Sequence, residues 1–207
     1  MMKTMKKMQI WLTGALAVLL LLSPQVACAA QDDAEDTAAA LPRYMSVQGT
    51  VAETSGLPAR PDAEPAEHAY VMLDTEGGQV KLMVMPGTYL ANLSERPERG
   101  IAPGMAVTAW FDTTLPAPMI YPPQYAALAL VAEMPVTYTA TLDLFDDALI
   151  SDNGLLKLDI DDTVAIIVPD GTPYEGDLAG KTLLALYTVS TRSIPAQATP
   201  EQVVVLD

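Results

Sequence analysis

A single cysteine, Cys28, and a single histidine, His68, are all that 207 residues offer for thiol and imidazole chemistry. If Cys28 leaves with the leader-like segment it ends, the remaining chain has no disulfide, zinc-thiolate site or cysteine nucleophile. Ser-His-acid catalysis needs a base held beside its serine, yet His68 stands in a proline-rich stretch and the sequence has no nucleophile-elbow pattern. A solvated histidine is the simpler reading. There is no glycine-rich phosphate loop either, since Gly77-Gly78 and Gly171 fall in turns. Basic residues are also few, 11 against 26 acids.

Long apolar runs are scarce. The uncharged run Ile10 to Leu22 is too short to cross a hydrocarbon core of about 30 Å, which takes about 20 helical residues. It follows Lys3, Lys6 and Lys7 and precedes Ser23-Pro24 and the small residues Ala27, Cys28 and Ala29, the three parts of a secretory signal. Residues 1–29 therefore read as a signal peptide cut after Ala29. The expected location is secreted or extracytoplasmic, with no stable membrane span after cleavage. The alternative is a lipoprotein whose first mature residue is a lipidated Cys28, although Gln25 stands where that signal usually has leucine. Mass spectrometry of the mature amino terminus separates the two.

Loss of the three leader lysines leaves eight basic residues against 26 acids, a net charge of −18. Such a polyanion is repelled by nucleic acid and by anionic membranes. Residues 30–40, with Asp32, Asp33, Glu35 and Asp36 among alanines, lack the apolar content to order themselves and read as a disordered acidic linker.

What remains is patterned for β structure. Met45, Val47 and Val51 alternate with polar residues. Tyr70 to Asp74 and Gln79 to Met85 flank the turn Glu76-Gly77-Gly78, and Ala106 to Asp112 and Tyr125 to Glu133 follow. Pro86-Gly87 is expected to stop the third strand, and Thr88 to cap a short helix through Leu93. That order predicts an OB-like Greek-key barrel over 41–134. Residues 135–207 repeat it, with strands at Val136 to Leu144, Ala148 to Ser151, Leu155 to Val168 with a break near Asp161 and Asp162, Thr182 to Thr188, and Gln202 to Leu206. At an offset of 76, Gly78, Lys81, Leu82, Gly104 and Ala109 fall on Gly154, Lys157, Leu158, Gly180 and Ala185. Before Gly78 the offset becomes 91, with Gly49 on Ala140, so the first copy carries extra residues near Ser55 to Ala69. The expected fold is all-β, two tandem small OB-like barrels, each with at most one short helix.

In the second copy Leu156, Leu158 and Ile160 alternate with Lys157, Asp159 and Asp161, which places Met83 and Met85 on the outward face of the first. Those thioethers are expected to be covered from within the molecule. They also have the only ligand-like methionine spacing for Cu(I), against which ordinary apolar filling is the simpler reading. No cofactor is expected. Weak calcium candidates are Asp146, Asp147 and Asp152, but the spaced Asp-x-Asp-x-Asp-Gly order of an EF-hand is absent and an acidic solvent face is the simpler reading. Carboxylate chemistry of the hydrolase kind stays open because 26 acids single out no pair.

The best binding surface in the sequence is the proline segment. Pro116, Pro118, Pro122 and Pro123 stiffen a ribbon that carries Met119, Tyr121 and Tyr125, and its simpler reading is closure of the barrel, with the aromatics filling the core or the contact between modules. At the 76-residue offset its tyrosine positions become Gln197 and Glu201. The run Tyr121-Pro122-Pro123-Gln124-Tyr125 and the run Thr191 to Pro200 resemble segments of functionally uncharacterised exported proteins of Gram-positive bacteria, in some of which such modules stand before copper amine oxidase N-terminal-like repeats. The resemblance covers Leu41 to Asp207. It implies a cell-envelope or extracellular location and brings no catalytic residue. The expected function is that of an exported non-enzymatic binding or interaction module with a protein or glycan partner. The alternatives are a calcium- or carbohydrate-binding accessory protein and a carboxylate-based hydrolase.

Overall fold

Strand alternation in the first half becomes β1 (Tyr44–Ser55), β2 (Tyr70–Thr75), β3 (Gly78–Asn92), β4 (Ala106–Asp112) and β5 (Gln124–Ala132). The structure is a computed structural model that describes residues 42–207, so the signal-like segment, Cys28 and the acidic linker lie outside the described residues. The five strands close into a barrel in the order β1-β2-β3-β5-β4, with β4 returning to β1 and with β3 and β5 parallel. Its interior is Val51, Val71, Leu73, Leu82, Val84 and Leu130 with smaller neighbours. Burying each such valine or leucine stabilises the fold by about 1.5–3 kcal/mol. Where β1 turns from β4 to β2, Gly49 lets the strands approach: a Cβ there would sit 2.5 Å from the Asp74 carbonyl oxygen.

The helix expected from Thr88 to Leu93 is strand instead, and among the described residues there is no helix. Pro86-Gly87 does not end β3. It forms a bulge at which the register with β5 slips between Val84 and Tyr89, and there the missing proline N–H costs no ladder bond. The Thr88 hydroxyl accepts from the Met85 amide at 3.0 Å and donates to the Ala127 carbonyl at 2.8 Å. The cap-forming side chain is thus spent on joining β3 to β5, and ladder pairing overrides the local helix signal.

The second half contains β6 (Thr139–Phe145), β7 (Leu156–Leu158), β8 (Ala165–Ile167), β9 (Lys181–Tyr187), β10 (Ala196–Ala198) and β11 (Gln202–Val205). They pair as a four-stranded sheet, β6-β9-β11-β8, and a separate pair, β10-β7. The strand expected at Ala148 to Ser151 is reduced to the bridges Phe145↔Ser151 and Ile150↔Lys157. Pairing registers recur between the halves. Leu82 lies opposite Tyr125 as Leu158 lies opposite Ala198, and Ala109 lies opposite Leu130 as Ala185 lies opposite Val203. Likewise Val47 faces Ala109 as Thr141 faces Ala185. These registers keep the offset of 76 for the third and fourth strands but give 94, not 91, for the first strand and 73 for the last.

The described residues belong to one compact unit, and a third apolar cluster joins its halves. Tyr89, Ala91, Trp110, Ala129 and Val131 on the outside of the barrel pack against Leu142, Leu184 and Val204. The Tyr44 hydroxyl meets the Thr182 hydroxyl at 3.0 Å, and the Gln202 amide donates to the Tyr89 hydroxyl at 2.9 Å. Two faces of the same strands are therefore buried, which is why β4 and β9 read as nearly unbroken apolar runs.

Candidate functional site

Residues 113–123 cross from β4 to β5, and both ends of the crossing are pinned. At the start, Arg43 Nε donates to Asp112 at 3.2 Å, and the Thr113 amide donates to the Arg43 carbonyl at 2.8 Å. Asp112 Oδ1 accepts from the Thr114 amide and hydroxyl at 2.8 and 2.6 Å. Burial resists ionisation of Asp112, yet the Thr114 donors and Arg43 together hold its carboxyl below the usual value. At the far end the Lys81 amide donates to the Pro123 carbonyl at 2.9 Å. Between these anchors Leu115, Met119, Ile120 and Tyr121 are all at least half exposed, Tyr121 at 82 %. The Tyr121–Pro122 and Ile194–Pro195 peptide bonds are both cis.

The three ribbon residues singled out in the sequence do not act alike. Met119 is fully exposed, and Tyr121 extends over the β2–β3 turn, its hydroxyl 3.5 Å from where a Cβ on Gly78 would sit. Tyr125 belongs to the barrel: its ring stacks on Phe111 with centroids 4.1 Å apart and planes 13° apart, packed against the apolar interior. The second half's counterpart of Tyr121, by strand register, is Ile194 rather than Gln197, and it too is exposed. Tyr125 corresponds to Ala198, not Glu201.

Beside the ribbon lies the outer face of β2 and β3. Lys81 Nζ stands 4.1 Å above the Tyr70 ring, and the Tyr70 hydroxyl donates to Glu53 at 2.6 Å. That donation, with burial and the Glu53 charge acting the same way, raises the Tyr70 phenol above its ordinary value. Met83 is half-buried on this face, while Met85 is 48 % exposed, so the internal cover expected over both thioethers does not reach Met85. Packing between the halves uses Trp110 and Tyr89 instead. Sequence reasoning missed that surface, and its signal was the lack of alternation in Ala126 to Ala132 and Thr182 to Tyr187.

The calcium candidates lie on the irregular hairpin between β6 and β7. Asp146 Oδ1 accepts from the Ala148 and Ile150 amides, both at 2.9 Å, which folds the turn after β6. Asp147 and Asp152 are exposed. Among the described residues no three His, Cys, Asp or Glu side chains converge to hold a metal ion. His68 is exposed in the 56–69 segment between β1 and β2. That segment is anchored: the Gly100 amide donates to the Ala59 carbonyl at 2.9 Å, and a Cβ on Gly100 would lie 2.6 Å from the Pro58 carbonyl oxygen. No helix of the described residues is long and apolar enough to cross a membrane. No protein-family model, curated protein or solved structure matches the chain.

Proposed function

We propose that this chain is an exported, non-enzymatic binding or interaction module of the cell envelope, built from two tandem OB-like modules of which the first closes into a barrel and the second stays open. It presents the 113–123 ribbon of the first barrel to a protein or glycan partner. The location rests on the signal-like amino terminus and on the resemblance of the proline runs. Support for the duplication comes from the pairing registers that recur strand by strand. In OB barrels the loop between the first two strands and the loop between the last two flank the ligand face. Residues 56–69 and 113–123 occupy those places, with Tyr70, Lys81 and Met83 between them.

One observation carries the reading: four large apolar side chains, Leu115, Met119, Ile120 and Tyr121, stand in solvent on a segment fixed at both ends. A fixed ribbon loses little freedom when a partner covers it. The test is a cell-wall pull-down together with a glycan array, run with the exported protein and with Met119→Ala/Tyr121→Ala. Binding weakened by about tenfold or more in the variant is expected for an aromatic anchor. Undiminished binding would remove the ribbon from the function. A second reading, a carbohydrate-binding accessory protein, is favoured by the free ring of Tyr121, which suits stacking on a sugar. Retention on the array rather than on wall protein selects it.

A further inference from the structure

Away from the ribbon, a groove runs between the 56–69 segment, the bulge of β3 and the turn that follows β8. It has two adjoining compartments, of about 290 and 310 Å³, which share Pro61, Asp62, Pro169 and Asp170. The first is mainly apolar, floored by Tyr89 with Gln202 donating to its hydroxyl. The second opens beside Gly87 and carries Glu64 and Pro65. Carboxylates come from both walls, Asp62 and Glu64 from one and Asp170 from the other, and no lysine or arginine lines either compartment.

We infer that this groove docks an extended basic peptide segment, its aliphatic stems against the proline walls and its ammonium or guanidinium groups at Asp62, Glu64 and Asp170. Three features favour that occupant. The lining is apolar at its floor and negative at its rim, which matches a lysine or arginine side chain, with an apolar stem and a charged head. Two joined compartments of this size accommodate successive side chains of a chain rather than one ion. The walls are already set. Asp170 accepts from the Thr172 amide at 2.8 Å, and the Thr172 hydroxyl and amide hold its carboxyl below the usual value. Prolines fix the backbone beside it. Arg60 pairs with Asp62 at 3.1 Å, but both side chains are more than half exposed, and such a pair yields readily to a better-placed cation. The chain's net charge of −15 steers cations toward the surface without selecting a place on it. Selectivity therefore has to come from the groove.

The experiment is fluorescence anisotropy of the full chain with a labelled hexapeptide alternating lysine and valine, at low and at physiological salt. Its comparisons are the same peptide with glutamate for lysine, and spermine as a competitor. Glu64→Gln/Asp170→Asn is expected to weaken binding about fivefold, as two rim charges would. Asp147→Asn/Asp159→Asn removes the same charge outside the groove and is expected to change affinity less than about twofold. Tyr121→Ala leaves this binding unchanged, so failure here and failure of the ribbon are read separately. Equal weakening by the two double variants would overturn the inference, since attraction would then be to the polyanion as a whole. Absence of binding at low salt would overturn it too. So would spermine competing at the peptide's own affinity, because the site would then be one for a free amine.

Discussion

The two halves share their strand registers, yet the first closes its barrel and the second does not. In the first, β3 passes through the Pro86-Gly87 bulge and holds β5 on both sides of it. In the second, the same path is cut into β7 and β8, and its parallel partner into β10 and β11. The interruptions are local. Asp161 takes the Thr163 amide and hydroxyl at 2.8 and 2.6 Å, folding the chain out of the ladder, and Pro200 stands between β10 and β11 with no N–H to give. A barrel tolerates a bulge that costs no pairing more easily than a side-chain turn that replaces pairing. The crossing segments differ in the same spirit: the first exposes a run of apolar residues, the second exposes Val189 and Ile194 among serine, threonine and arginine.

The sharpest way to break this comparison is to remove what couples the halves. Trp110 is 4 % exposed and lies in the cluster between them, so Trp110→Ala is expected to cost about 3–5 kcal/mol. In thermal unfolding by calorimetry the variant should split a single transition into two. A single, merely shifted transition would show that the halves are coupled by something else. Next in size are two matched core truncations, Leu82→Ala in the barrel and Leu158→Ala in the second half, both almost fully buried at corresponding registers. Each is expected to cost about 2–5 kcal/mol in urea unfolding, with Leu82 the larger because a closed wall collapses less readily into a cavity. Equal or reversed losses would mean that the broken strands are as rigid as the closed ones.

The smallest effects contrast two aspartates. Asp112, in the barrel, has its carboxyl held low, so its contribution is present above the ordinary carboxylate value and is lost as pH falls through the folded value. Asp143, in the second half, is raised chiefly by burial, against which the Leu144 and Asn153 amides pull it down. Its contribution is full below the ordinary value and is lost as pH rises through the folded one. Asp112→Asn should therefore destabilise at neutral pH, by less than about 1 kcal/mol since its partner Arg43 is about half exposed, and the difference should fade in acid. Asp143→Asn should stabilise slightly at neutral pH and be neutral in acid. Melting temperatures of both variants between pH 3 and pH 7, at roughly unit spacing around the carboxylate range, check the opposite signs.

Alternation of apolar residues and the turn glycines made most strands legible, because a half-buried strand must alternate and a tight turn must admit positive φ, as at Gly78 and Gly154. Thr88 misled because a hydroxyl that caps a helix serves equally well to bridge two strands, and only the neighbour β5 decides between them. The ribbon was legible as a stiff segment from its prolines, but its exposure was not. Nothing local separated Tyr121 from Tyr125, since each is a tyrosine beside the same Pro-Pro pair.

By itself the sequence determined the all-β class, the places of the turns and the ribbon, and the excess of negative charge, for these follow from side-chain period, backbone permissiveness and composition. Only the tertiary structure decided that Tyr125 stacks on Phe111 while Tyr121 stays in solvent, and that Trp110 rather than Met85 is covered by the other half. Only it brought Asp62 and Asp170 to one groove from segments far apart in the chain. Each of these depends on which elements lie beside which, and pairing between strands as distant in the chain as β1 and β4 is set by the assembly of the whole fold rather than by any stretch of it.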